Sequence, residues 1–558
     1  MIKLDEADAK WVDQTLGRLD LRGKLGQLLI PRITGAEVSE RGAGEYVRRY
    51  RLGGGHAFGG DLTATRALIR QAQDAAEVPL LISGDLERGV GQRIEQGTAF
   101  AGQMALGAAD DEELAYRFGA AIGREGRAVG YNWVFGPVVD LSIDPNNLSH
   151  IRCLGGDPHK VARLASRIVA GIQDHGMAAC AKHLPGAGVD DLDSHLTTAI
   201  NPQSADEWRR LSAVPFQMAI DAGVASIMTA GKACPGIDPE CGDPLFPRPI
   251  MTSRTVLQDI LRGEMGFDGL IVTDALTMGG LTMHYRRLEM HLACLKAGND
   301  MLLFVHRLDS LLDYLEQCVR DGELTEQRID ESVRRVLSLK AWLRLHRKRM
   351  SDDDEAAAML GREEHRADAR RQASRAITLV RDRHEHVPLE LGAGARVLSV
   401  LITNQQRFEL ATFHDVLKQA GIEVTAEKNP PHETLYEDVE AGRYDAVVVS
   451  LYYPPQWGWS TPRCHGPESR CLMDGFPFAR ADVPPVFISW ANPYHLYEFA
   501  FMDPYINTYG GDPGTQHACA EALLGRSAIV GRSPVAHAPF FTIGDGLERP
   551  ARTEAAAG

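Results

Sequence analysis

The sequence predicts an α/β protein, in which a (β/α)8 TIM-type barrel is followed by a smaller C-terminal α/β sandwich domain. The first observation is a unit that recurs between residues 25 and 305, a short apolar run followed by a polar or Gly-rich loop and usually a helical pattern. Such alternation is typical of a parallel sheet covered by helices. The second is the length of 558 residues, which exceeds one ordinary domain. The third is a return of apolar runs after residue 395.

Eight apolar runs in the first part of the chain are the candidate barrel strands. They are Gly26–Ile33, Gly54–Gly59, Leu80–Gly84, Tyr131–Asp140, Met177–His183, Val224–Ala230, Leu270–Asp274 and Asp300–Val305. Between them, Pro158–His175 has a one-sided apolar pattern, Pro at its first position and Gly176 just past its end, which predicts a helix. Ser253–Arg262 has a similar pattern. A doubly wound open sheet would show the same alternation, so it remains the competing architecture.

The domain boundaries follow from changes in this pattern. We assign residues 1–348 to the barrel, with two helices in 306–347, and residues 349–375, which are highly charged, to a solvated connecting helix or linker. Residues 376–545 form the C-terminal α/β domain, and 546–558 a disordered tail. The elements predicted in the second domain are strands Arg396–Ile402, Ala446–Leu451 and Pro485–Ser489 and helices Phe408–Ala420 and His517–Leu524.

Composition excludes several classes of function. The 60 basic and 75 acidic residues give a net charge of −15, which argues against nucleic acid or an anionic membrane as the main partner. The start of the chain has no apolar signal segment, and the nine cysteines are scattered without a C-x-x-C pair, so we expect a cytoplasmic protein with reduced thiols. A Cys234–Cys241 disulfide is the alternative. The oligomeric state is left open, with a homodimer as one candidate.

Polar residues stand at the ends of several candidate strands. Asp85, Asp140, the pair Lys182-His183 and Asp274 each follow an apolar run. In a barrel these positions share the C-terminal face, where catalytic residues lie. A single acidic residue at such a place can be a plain helix N-cap, but four such positions at the same strand end favour a site.

The richest of these stretches is K-H-L-P-G-A-G-V-D-D-L-D-S-H, residues 182–195. Its Gly and Pro residues let the backbone approach a ligand closely, and its Lys, His and Asp side chains can carry charge or move protons. The plain alternative is a polar surface loop with two unrelated histidines.

Five motifs in a fixed order identify a family. They are D-L-E-R-G-V-G-Q-R at 85–93, P-V-V-D-L-S-I-D-P-N-N at 137–147, the arginine of I-R-C-L-G-G-D-P at 151–158, the loop at 182–195, and I-V-T-D at 271–274 with A-G-N-D at 297–300. This order resembles glycoside hydrolase family 3, and the D-S-H loop resembles its β-N-acetylhexosaminidase subgroup. The motifs S-R-A-I-T-L-V, N-P-Y, I-N-T-Y and G-R-S-P-V between 374 and 535 are similar to the family's C-terminal domain.

The resemblance implies a retaining exo-glycosidase that removes β-linked N-acetylglucosamine or a related hexose. Asp274 would be the nucleophile, His195 the acid/base, and Asp193 the group that orients the imidazole. No metal or organic cofactor is implied. The residues that would bind the sugar are Asp85, Arg152, Lys182 and His183.

Departures from the family pattern keep other functions open. Arg88, Ala187 and Gly231 replace a glycine and two histidines of the usual motifs. A histidine acid/base does not repel phosphate as a carboxylate would, so a phosphorylase is one alternative. The others are a β-glucosidase, a sugar-binding protein without turnover, and, more remotely, a phosphate-binding isomerase on the same barrel.

The aromatic and Pro-rich stretch from Tyr452 to Phe478 is unusual. It could line a sugar-binding face or cap the barrel mouth, and it could equally be a packed loop between domains.

Overall fold

The computed structural model describes residues 3–552 except 35, 244, 432–438, 440, 460, 473–482 and 484. By its contacts the chain divides into two units. One comprises residues 1–99, 115–141 and 161–366, and the other 100–114, 142–160 and 367–558. None of the helices among the described residues is both long and apolar enough to cross a membrane.

The strands and helices are numbered in chain order. The strands are β1 (Leu29–Ile30), β2 (Gly54–His56), β3 (Leu81–Gly84), β4 (Trp133–Val134), β5 (Ala178–Leu184), β6 (Ser226–Thr229), β7 (Leu270–Thr273), β8 (Leu302–Leu303), β9 (Thr378–Arg381), β10 (Arg396–Thr403), β11 (Glu423–Lys428), β12 (Ala446–Tyr452), β13 (Pro485–Trp490) and β14 (Tyr505–Asn507). The α-helices are α1 (Glu6–Arg18), α2 (Leu21–Gly26), α3 (Ala36–Arg41), α4 (Ala43–Tyr50), α5 (Leu62–Ala75), α6 (Gln103–Ala109), α7 (Glu112–Val129), α8 (Pro158–Asp174), α9 (Ala205–Arg210), α10 (Ala213–Asp221), α11 (Gly279–Thr282), α12 (Arg287–Ala297), α13 (Leu308–Arg320), α14 (Glu326–Trp342), α15 (Asp353–Met359), α16 (Glu363–Ala376), α17 (Ala411–Gln419) and α18 (Pro513–Leu523).

All eight predicted strands of the first unit are present and parallel. Strands β2 to β7 form a six-stranded sheet in chain order, and β1 pairs with β8. Single parallel bridges, Arg32–His56 and Val272–Met301, link the two sheets next to β2 and β8. One hydrophobic core is shared by side chains of β1, β3 and β4 through β8, such as Trp133 and Cys180. The α/β class is therefore confirmed, although several strands are much shorter than the apolar runs.

The predicted helices are present, and one of them differs in type. Helix α8 buries the predicted face and is preceded by Asp157, whose carboxylate accepts from Lys160 N at 2.7 Å. The predicted helix Ser253–Arg262 is instead a π-helix, Thr255–Glu264. Apolar periodicity does not distinguish the two because both bury one stripe of side chains.

The charged segment after residue 349 is helical, and few of its side chains are buried. It forms α15 and α16, and on α16 the buried His365 places Nδ1 at 2.7 Å from Glu125 Oε1 of α7. The composition of the segment alone does not reveal this buried contact, because its partner lies on a helix about 240 residues earlier in the chain.

The second unit is built on a six-stranded sheet in the order β11-β10-β12-β13-β14-β9, with β9 antiparallel. Alternate residues of β10 and β12 enter two separate cores, one on each face. Helices α17 and α18 pack in one core and α6 in the other. The sequence missed β9, β11 and β14, since β11 is largely exposed and β9 and β14 are short.

The structure also bears on the expected disordered tail and on the alternative disulfide. Residues 546–552 were assigned to a disordered tail, but Leu547 N donates to Leu379 O at 2.7 Å and Arg549 N to Ile529 O at 3.0 Å. These backbone pairings hold the segment against the sheet, and 553–558 lie outside the described residues. Cys234 and Cys241 are free thiols, so the alternative disulfide is not formed.

Candidate active site

Lys182 lies near the end of β5 and joins two acidic residues of the loop after β3. Its buried Nζ is 3.0 Å from Asp85 Oδ1 and 2.7 Å from Glu87 Oε1. Burial by itself would raise the pKa of Asp85, but the charge and hydrogen bond of Lys182 outweigh it and hold that pKa below its ordinary value. The cluster therefore holds fixed charges of both signs, which suit hydrogen bonds to sugar hydroxyls.

His56, at the end of β2, lies beneath this cluster. Its Nδ1 is 3.1 Å from Ser83 Oγ and its Nε2 is 3.7 Å from Asp85 Oδ2. Burial lowers the pKa of His56 to about 4. The imidazole is therefore neutral near pH 7, and it supports Asp85 by packing and polarity more than by charge.

His183 is fixed by Asp140, an acid beyond the end of β4. Asp140 is buried and accepts from His183 N at 3.1 Å and from Ala187 N at 2.7 Å, and its Oδ2 lies 2.7 Å from His183 Nδ1. Burial by itself would raise the pKa of Asp140, but the charge and hydrogen bonds of His183 and the Ala187 amide keep it below its ordinary value. One carboxylate thus sets both the imidazole orientation and the start of the following loop.

The predicted dyad of the loop is formed. Asp193 Oδ1 accepts from His195 N at 2.9 Å and lies 2.9 Å from His195 Nδ1. The Asp193 side chain is 1% exposed, whereas that of His195 is 40% exposed. A buried carboxylate therefore orients an imidazole that is accessible to solvent.

Two of the contacts between this loop and its neighbours lie next to the dyad or lead into it. Lys232, after β6, places Nζ 2.6 Å from Asp190 Oδ2, and both side chains are buried. On the other side Gly279 N, after β7, donates to His195 O at 2.9 Å. A Cβ built on Gly279 would lie 2.7 Å from that carbonyl oxygen, so the close approach requires glycine.

Asp274 follows directly after β7. Its N donates to Thr229 O of β6 at 2.8 Å, and its Oδ1 accepts from Ala275 N at 2.7 Å. The buried thiol of Cys180 on β5, whose pKa burial raises to about 12, also experiences the charges of Lys182, Asp85 and Asp274. The charges of all three groups therefore act on this one thiol.

Arg152 belongs to the second unit, unlike the other six predicted site residues. Its guanidinium carbon lies 5.0 Å from the centre of the Trp457 ring, a cation–π geometry. Trp457 belongs to the aromatic stretch that the sequence singled out, of which 460 and 473–478 lie outside the described residues.

Sequence reasoning missed several residues of the site. It named Asp140 as a strand end but not as the partner of His183, and it overlooked Glu87, His56 and Lys232. A charged residue just after an apolar strand was the available signal for Lys232. Within the described residues, no group of three or more His, Cys, Asp or Glu side chains is arranged to hold a metal ion.

Known proteins resemble this chain over much of its length. Residues 20–339 match the model of the glycosyl hydrolase family 3 N terminal domain. A beta-N-acetylglucosaminidase/beta-glucosidase of Cellulomonas fimi is 34% identical over 549 residues, which cover 95% of this chain and 96% of that protein.

Solved structures of similar fold cover nearly the whole chain. The beta-glucoside phosphorylase BglX bound to 2FGlc is 30% identical with a TM-score of 0.87, over 96% of this chain and 97% of that one. A glycoside hydrolase family 3 beta-N-acetylglucosaminidase from Paenibacillus sp. str. FPU-7 is 31% identical with a TM-score of 0.81, over 93% of this chain and 99% of that one.

Proposed function

The chain belongs to glycoside hydrolase family 3 and is a glycosidase, and from this premise we propose that it is a retaining exo-enzyme that removes β-linked N-acetylglucosamine from non-reducing ends. The observation that carries the proposal is the dyad of buried Asp193 and accessible His195 in the loop after β5. The relative from Cellulomonas fimi, named for both N-acetylglucosaminide and glucoside cleavage, supports the substrate class.

In the proposed mechanism Asp274 attacks the anomeric carbon and forms a glycosyl–enzyme ester while the bond to the leaving oxygen breaks. Its position directly after β7 supports this role, because the catalytic groups of such barrels lie at the C-terminal strand ends. The hydrogen bond from Ala275 N to Oδ1 fixes the carboxylate, with Oδ2 as the attacking oxygen. Water then attacks the anomeric carbon from the face opposite the ester, and the bond to Asp274 breaks. The two displacements together restore the original configuration of the sugar.

His195 protonates the leaving oxygen in the first step and removes a proton from the acceptor in the second. Because Nδ1 lies 2.9 Å from the Asp193 carboxylate, we assign a proton to Nδ1 and the transferred proton to Nε2. The carboxylate stabilises the imidazolium and, being buried, is itself shielded from water.

The sugar in the first subsite would be held by Asp85, Lys182 and His183, while the sugar-binding role of Arg152 stays a prediction from its motif. The pairing of Lys182 with Asp85 supports this assignment, because such groups are oriented before substrate arrives.

We also propose that β1 to β8 together form a closed barrel, since β1 pairs with β8 and single bridges join the remaining neighbours.

Phosphorolysis is the second candidate, in which phosphate replaces water as acceptor and the product is a sugar 1-phosphate. The structure that matches with a TM-score of 0.87 is named a beta-glucoside phosphorylase, and this similarity supports phosphorolysis as a candidate. An imidazole near the anomeric carbon admits an incoming anion that a carboxylate would repel.

The test is release of nitrophenol from p-nitrophenyl N-acetyl-β-glucosaminide and from the β-glucoside, with and without inorganic phosphate. We expect turnover of the acetamido sugar and, without phosphate, the free sugar as product. Preference for the glucoside would contradict the proposed substrate. A sugar 1-phosphate in the phosphate arm would establish the second candidate, and its absence would remove it.

A further inference from the structure

The buried ion pair between Lys232 and Asp190 joins two loops of the first unit. Lys232 Nζ lies 2.6 Å from Asp190 Oδ2, and the side chains are only 4% and 6% exposed. Asp190 stands five residues before His195 and Lys232 stands three residues after the end of β6. The pair therefore ties the loop that carries the dyad to the adjacent strand end.

The lysine end of this link is itself fixed. Lys232 O accepts from Ile250 N at 2.8 Å, and the next residue, Ala233, donates its N–H to Ala199 O at 2.9 Å. Asn201 N in turn donates to Ala233 O at 2.8 Å. Backbone hydrogen bonds on both sides thus hold Lys232 against the segment that follows the dyad.

The aspartate end leads directly into the dyad. Asp190 Oδ1 accepts from Leu192 N at 3.3 Å, so the same carboxylate that receives Lys232 also shapes the turn. Asp193 follows and binds His195 through both its backbone N–H and its imidazole. A shift of Asp190 would therefore be transmitted over three residues to the carboxylate that orients the imidazole.

We propose that Lys232 is a positioning residue, which fixes the Asp193–His195 dyad by way of Asp190. This inference rests on the proposed role of His195 as acid/base. Lys232 does not need to contact substrate, because its ammonium is buried against Asp190. Buried ion pairs often contribute little net stability, since desolvation offsets their attraction, but in some proteins they specify one arrangement of the groups they join.

Loss of the Lys232–Asp190 pair should slow substrates with poor leaving groups more than substrates with activated ones. Proton transfer requires the donor within hydrogen-bond distance of the leaving oxygen, and a misplacement of about 1 Å can cost about a hundredfold in rate. An activated aryl leaving group departs with little protonation, so its release is insensitive to the dyad. Loss of the link should therefore increase the dependence of kcat/KM on leaving-group basicity.

The experiment compares K232M with wild type on an N-acetyl-β-glucosaminide series from 2,4-dinitrophenyl to simple alkyl leaving groups. We expect roughly a ten- to hundredfold loss on alkyl substrates and less than about a threefold loss on the dinitrophenyl substrate. The matched control is K340M, the same substitution at another buried lysine of this unit, whose Nζ lies 2.6 Å from Gln27 Oε1. K340M should leave the leaving-group dependence unchanged, whatever its melting temperature.

A second variant covers the case in which K232M does not fold, since it leaves Asp190 buried opposite an apolar side chain. D190L/K232M removes both charges together, an exchange that buried pairs often tolerate. It should fold and show the same selective loss. The inference would be overturned if kcat/KM of the double variant depended on leaving-group basicity as in the wild type. An equal loss of kcat/KM on all leaving groups would also overturn it.

H195A in the same series separates the two proposals. If H195A shows no selective loss, the acid/base role of His195 fails and the positioning role fails with it. If H195A is selective while K232M matches K340M, the acid/base role stands and the role of Lys232 alone is refuted.

Discussion

Replacing Asp193 by Asn tests how much the buried carboxylate contributes to the acid/base step. Asn keeps the size of the side chain and can still accept from His195 N, so the loop should remain folded. What changes is the contact at 2.9 Å between the side-chain oxygen and His195 Nδ1, which loses its negative charge.

The magnitude follows from that one contact. A hydrogen bond to a charged group contributes about 1.5–3 kcal/mol, against about 0.5–1.5 kcal/mol for a neutral one. The difference of about 1–2 kcal/mol applies to states in which the imidazole is charged, so it adds to the barrier of the protonation step. At about 1.4 kcal/mol per factor of ten, D193N should be about five- to thirtyfold slower on substrates with poor leaving groups.

The assay measures kcat/KM on alkyl and 2,4-dinitrophenyl glycosides, together with the melting temperature. Asp191 is exposed and two residues from Asp193, so D191N is the matched control and should behave like wild type. Wild-type rates for D193N on alkyl glycosides would refute the orienting role. An equal loss on both substrates would show that the effect does not act through proton donation.

Three more variants test other parts of the site. D274N should abolish turnover while leaving the melting temperature near that of wild type, and near-normal activity would refute the nucleophile assignment. G279A should slow poor leaving groups by displacing the His195 carbonyl, since its Cβ would lie 2.7 Å from that oxygen, and an unchanged rate would show that the loop position does not matter. Asp140 has a pKa below its ordinary value in the fold, so its charge stabilises the protein above the unfolded pKa of about 3.9, and this contribution is lost as pH falls through the folded pKa. D140N should therefore melt well below wild type at pH 7 and differ less at pH 3, whereas a constant difference in melting temperature would contradict the assigned role of the charge.

The aromatic stretch shows where a local pattern leaves its role undetermined. Sequence alone left it as a sugar-binding face, a barrel cap or a packed loop. The structure brings Trp457 over Arg152, which the sequence had assigned to sugar binding from a different motif. Two residues about three hundred positions apart cannot be related by periodicity, because that relation arises only when the second unit folds.

Local patterns in the sequence were enough to predict the α/β class, the eight strands of the first unit and the polar residues at their ends. These are local properties, since apolar runs and the residues that follow them are contiguous in the chain. It also determined the Asp193–His195 dyad, whose members are two residues apart. The family motifs in their order were sufficient to indicate the reaction class.

Which charges form ion pairs became clear only from the fold. Lys182 pairs with Asp85 across 97 residues, and Lys232 with Asp190 across 42, and each pairing depends on which strand ends are neighbours. The π-helical geometry of 255–264 and the pairing of Leu547 with Leu379 were also beyond sequence reasoning. In each case the decisive interaction joins residues that are distant in the chain or depends on backbone geometry that side-chain periodicity does not encode.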